Sequence, residues 1–159
     1  MATAPAEVLE LRDGARMTQA EFHRAYERTA DHVRAELIGG VVRMGGRVTA
    51  RHGENHAMLG MLVGTYGRKT PGVQACGRTT VILGADSEPE PDLHLRIATE
   101  FGGQSRISED DYLTGAPELV AEVSDSTLAV DPQSGKGPRA IRAVSVGCQV
   151  GASREVEPM

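Results

Sequence analysis

The sequence predicts a mixed domain of the α+β class, and three observations carry that prediction. Thr18-Gln19-Ala20-Glu21 has the spacing of a helix capping box. Gly39-Gly40 separates two short apolar runs, as a two-residue hairpin turn does. A second helical stretch is then followed by strand-like segments, giving the order helix, hairpin, helix, strands.

Each element has its own warrant. Residues 1–15 read as a mobile lead-in before the domain of residues 16–131, and residues 132–159 as an atypical tail. The first helix should run from the cap to about Ala30, with Phe22, Ala25 and Tyr26 as its apolar side. Leu37-Ile38 and Val41-Val42 flank the hairpin turn, and Gly45-Gly46 offers a second such connection. From about Ala50 to Lys69, His56, Leu59, Val63 and Tyr66 recur at three- and four-residue steps. Gly60 and Gly64 there would allow close packing on a neighbour. Thr70-Pro71-Gly72 ends that helix, and residues 73–83 read as one strand. Residues 91–98 alternate Leu93, Leu95 and Ile97 with Asp92, His94 and Arg96, which predicts a half-buried strand. A polar loop follows, with a short helix expected near residues 109–113, and then an apolar strand from Leu119 to Val123.

At 159 residues the chain fits one domain with a sizeable, mostly aliphatic core, because aromatics are only 3% and tryptophan is absent. No apolar run reaches membrane-spanning length and no leader pattern opens the chain, so a cytoplasmic location without membrane contact is expected. Cys76 and Cys148 make neither a disulfide framework nor a metal-type spacing. The net charge of −5 conceals an asymmetry. Residues 12–51 hold eight arginines against five acids, and residues 86–125 hold eleven acids against two arginines. Such a division suits a protein that grips a polyanion with one face and a divalent cation with the other, although two solvated surfaces would look the same.

The chemistry centres on Glu122, a carboxylate inside the apolar strand. Its charge is expensive there without a cation, a metal or several hydrogen bonds. Asp92 opens the preceding strand. If the two strands pair, Asp92 and Glu122 converge on one hard divalent cation, because Mg²⁺ favours one or two carboxylates plus waters. The structural alternative is that Asp92 bonds the backbone at its strand start while Glu122 pairs with an arginine.

The series AELIGGVVRM, a helix carrying His56, EPEPDLHLR and APELVAEVSDST resembles the Uma-two restriction-endonuclease family, within the PD-(D/E)xK nuclease superfamily. MTQAEFHRA resembles that family's opening, and the resemblance runs from Met17 to about Asp131. Ala35 stands where the family carries an aromatic residue. The resemblance implies a restriction-endonuclease-like core, a mixed central sheet flanked by helices. It further implies a DNA substrate, Mg²⁺ or Mn²⁺ as cofactor, and Asp92 and Glu122 as the metal-binding carboxylates with Glu36 supporting them. His56 and His94 are read as packed histidines, and Glu118 as a strand-start acid away from the metal.

The resemblance also implies a lysine near the carboxylates that positions the attacking water or offsets charge on the phosphate. The chain holds only Lys69 and Lys136. Lys69 ends a helix, and Lys136 lies in a segment where Pro132, Gly135, Gly137 and Pro138 forbid a regular helix. Lys136 is therefore the candidate catalytic lysine, with Arg78 or Arg96 as electrostatic substitutes. An uncovered sheet edge at this tail would favour a homodimer. The first functional reading is a metal-dependent endonuclease. The second is a catalytically impaired relative that binds nucleic acid or a partner, and the third a small-molecule enzyme using Asp92 and Glu122 as acid and base.

Overall fold

The computed structural model describes residues 10–124 and 140–144. Helix α1 (Gln19–Tyr26) starts at Thr18, whose hydroxyl accepts from the Glu21 backbone N–H while the Glu21 carboxylate returns to the Thr18 backbone N–H. The reciprocal box appears as expected, but the helix ends four residues early, in turns closed by Arg28 N–H to Ala25 O and Thr29 N–H to Tyr26 O.

Strands β1 (Ala35–Ile38) and β2 (Val41–Met44) form the hairpin, with Gly39 and Gly40 both at positive φ, as a tight two-residue turn of this kind requires. Gly45-Gly46 makes no second hairpin. Gly45 N–H donates to Arg34 O, and the chain passes directly into α2. Phe22 from α1 packs with Met17, Ala35, Leu37 and Val42 in a first apolar core.

Helix α2 (Ala50–Lys69) is capped by the Thr49 hydroxyl, which accepts from His52 N–H. Leu59 and Val63 face Leu93, Leu95, Ala121 and Val123 in a second core. The close approach falls at Gly67, where a Cβ would stand 3.0 Å from that of Ala75. At Gly60 a Cβ would lie no nearer than 3.9 Å to Leu93, and at Gly64 it would meet nothing within 4 Å.

The single strand expected over residues 73–83 is two. β3 (Val73–Gly77) ends where Arg78 takes a φ of 30°, its N–H donating to Asp92 O. The chain then turns to place β4 (Val81–Ile82) in a different sheet. β5 (Leu93–Ile97) follows, and the polar loop after it holds a 3₁₀ turn at Thr99–Phe101. Where a short helix is expected, the chain instead forms a turn at Glu109 and Asp110 leading into a strand. β6 (Arg106–Ile107), β7 (Leu113–Thr114), β8 (Leu119–Ser124) and β9 (Ala140–Val144) complete the strands described.

Three sheets result: the hairpin, a four-stranded antiparallel sheet ordered β3-β5-β8-β9, and a small mixed sheet ordered β4-β7-β6. β5 is buried on both faces, since His94 is only 1% and Arg96 only 7% exposed. Alternation therefore reports the two sides of the strand correctly but not which side meets water. Reciprocal backbone bonds between Leu37 and Glu88 join the hairpin to the segment entering β5.

Candidate active site

Three carboxylates from three distant parts of the sequence meet where the hairpin abuts the main sheet. The antiparallel register pairs Leu93 with Ala121, which sets Asp92 beside Glu122 one step further on. An Asp92 carboxylate oxygen accepts from Val123 N–H at 2.8 Å, tying the start of β5 to β8. Glu122 meets both the carboxyl and the backbone N–H of Asp92. Burial, then the neighbouring Asp92 and Glu36, push Glu122 up to about 7.

Glu36 enters from β1 and accepts the Glu90 backbone N–H at 2.7 Å. Burial raises its pKa above the ordinary carboxylate value, and the charges of Glu90 and Asp92 add to that. Glu90 in turn holds two arginines, Arg78 at 2.8 Å and Arg34 at 3.5 Å. The segment Glu90-Pro91-Asp92 thus places a site carboxylate, anchors Glu36 through its backbone and fixes a cation through its side chain.

Helix α2 lends two histidines. His52 Nε2 stands 3.9 Å from an Asp92 carboxylate oxygen, and His56 Nε2 stands 3.3 Å from the Asp92 carbonyl oxygen. Their rings stack at 6.3 Å, because an i,i+4 spacing on a helix puts them one above the other. Sequence reasoning left His56 as a packed helix residue and missed His52. The His-x-x-x-His spacing at the start of an amphipathic helix was the available signal.

These groups line a cavity of about 580 Å³ together with Glu36, Glu90, Asp92 and Glu122 and with Arg34, Arg43, Arg47 and Arg78. The donor set is all oxygen and suits a hard cation. Two carboxyls forced together, one keeping a proton near neutrality, are what a divalent ion would relieve. Among the described residues no group of three or more His, Cys, Asp or Glu could by itself hold a metal.

The other candidates fall elsewhere. Lys136 lies outside the described residues. Lys69 is exposed in the last turn of α2, while the site histidines stand in its first two turns. Arg96 is buried on β5, donating to Ser105 O at 3.4 Å, and does not line the cavity, so Arg78 is the electrostatic substitute that reaches it. Glu118 accepts from Ile97 N–H and Gln104 N–H, which makes it a clamp on the loop after β5. His94 has both ring nitrogens buried without hydrogen-bond partners among the described residues, and burial followed by the Arg96 charge lowers its pKa. No described helix is long and apolar enough to cross a membrane.

A comparison with curated proteins finds no match. A family model, Uma2, described as "Putative restriction endonuclease", matches residues 19–158 and so continues well past Asp131. The match spans most of the chain and takes in all three carboxylates, and the protein belongs to the Uma2 restriction-endonuclease family.

Proposed function

We propose that the chain is a metal-dependent endonuclease that hydrolyses phosphodiester bonds of DNA. The observation that supports this reading most is the half-buried pairing of Asp92 with Glu122, in one cavity with Glu36 and a set of arginines. Asp92 and Glu122 would hold Mg²⁺ or Mn²⁺. When bound, that ion would polarise a phosphoryl oxygen and lower the pKa of a bound water.

The chain's own residues would do the rest. Val123 N–H and His56 fix Asp92 from two sides, so its carboxylate is held before any ligand arrives. Glu36 is fixed by the Glu90 N–H and adds a third carboxylate to the cavity. Arg78, held by Glu90, offers a cation to charge developing on the phosphate in the place a lysine takes in the superfamily. Arginine cannot accept a proton at neutral pH, so its part is electrostatic.

One observation favours the second reading, a relative that binds without cutting: among the described residues the one lysine, Lys69, is remote from the cavity. The experiment that separates the two is a titration with Mg²⁺ or Mn²⁺ that follows melting temperature and cleavage of mixed DNA. Cleavage that requires metal and disappears in Asp92→Ala and in Glu122→Ala supports the enzyme. Metal stabilisation with no cleavage supports the binder, and cleavage surviving both substitutions would refute the proposed site.

A further inference from the structure

The cavity carries cations that the site chemistry does not use. Of its four arginines, Arg34 and Arg78 are tethered to Glu90. Arg43 on β2 and Arg47 in the β2–α2 connection are exposed and have no carboxylate partner among the described residues. Arg43 lies directly across the hairpin from Glu36 in the backbone register, yet makes no ion pair with it. Two untethered guanidinium groups thus share the cavity with four carboxylates.

A volume of about 580 Å³ admits a ligand of roughly drug-molecule size, comparable to a nucleotide or two. Any polymer entering the cavity must therefore continue over its edge. Arg43 and Arg47 line the cavity and are exposed to solvent, where such a strand would pass. The chain as a whole has a net charge of −5, with eleven acids among residues 86–125. Attraction for a phosphate backbone has to be local, and beside the acid cluster the arginines lining this cavity supply it.

We infer that Arg43 and Arg47 form a phosphate track on which a nucleic-acid strand is carried past the acid cluster. The inference rests on the nuclease reading and adds the surface that reads the backbone. Guanidinium groups bind phosphate oxygens in bidentate fashion and independently of base sequence, so the track supplies affinity without selecting a target.

Fluorescence anisotropy of a labelled mixed-sequence DNA duplex tests it, in metal-free buffer where the strand stays uncut, across a range of salt concentrations. Each of Arg43→Ala and Arg47→Ala should reduce the slope of log affinity against log salt by about 1. Arg43→Lys should keep that slope, and Arg24→Ala on the distant α1 should leave it unchanged. Both track arginines are exposed, so unchanged melting temperatures will show that the variants fold. Wild-type binding whose slope ignores both alanine substitutions would overturn the track. So would no wild-type binding at low salt. In either case metal-dependent cleavage would leave the nuclease reading standing. A slope lost in both variants with no cleavage under any metal would keep the track and remove the reaction.

Discussion

Replacing Glu122 by glutamine probes the half-buried carboxyl pair without substrate or metal. Glutamine keeps the shape and removes the ionisation. In the folded chain Glu122 is raised from its ordinary 4.5 to about 7. An acid raised on folding binds its proton more tightly in the native state, so stability is fully present below about pH 4.5. It is lost as pH climbs through the folded value near 7. A rise of that size corresponds to about 3 kcal/mol against the charged form. Glu122 is only half-buried, and solvent screening should leave about 1–2 kcal/mol of it. Glutamine escapes the loss. Glu122→Gln should therefore match the wild type near pH 4 and exceed it above pH 7, by about 2–8 °C in melting temperature for a domain of this size. Thermal melts by circular dichroism at pH 4, 6 and 8 supply the measurement. Mg²⁺ at pH 8 should then raise the wild-type melting temperature and leave the variant where it is. A gap that is the same at all three pH values, or a wild type that is more stable at pH 8, would refute the carboxyl-pair reasoning.

Other consequences can be read from single residues. Arg78→Ala should lower the cleavage rate about 10²–10³-fold with substrate binding less affected, and Arg78→Lys should recover part of it. Single-turnover kinetics would separate the two effects. Phe22, with no exposed surface, anchors the core between α1 and the hairpin. Phe22→Ala should cost about 3–5 kcal/mol in urea unfolding, and a loss below 1 kcal/mol would mean that this core is not packed as described.

Much of this architecture can be read directly from residue patterns, and the exceptions have physical causes. The capping box and the Gly-Gly hairpin are local devices whose geometry depends on four or five neighbouring residues, so Thr18, Glu21, Gly39 and Gly40 announce themselves. The break at Arg78 does not. Its positive φ goes with a bond to Asp92 O, a contact that exists only with β5 in place. His94 and Arg96 look like a solvent-facing row because alternation records sidedness and is silent about what covers a side. The pairing of Asp92 with Glu122 could be foreseen, since it needs only adjacent antiparallel strands. His52 is signalled only by its i,i+4 spacing from His56, and its place at the site depends on where the first turns of α2 land. Lys136 was named from a pattern, and it lies outside the described residues.

The contacts between Leu37 and Glu88, and between Glu36 and the Glu90 N–H, have a consequence for how the chain matures. Residues 36, 90 and 122 are far apart along the polymer, and such distant closures come late in folding because their loop entropy must be overcome first. While the hairpin is undocked, Glu36 stands away from Asp92 and Glu122. A nascent or partly opened chain is therefore without its assembled acid cluster. For a protein that would cut DNA, competence would require this tertiary closure, and local opening of the hairpin would withdraw it.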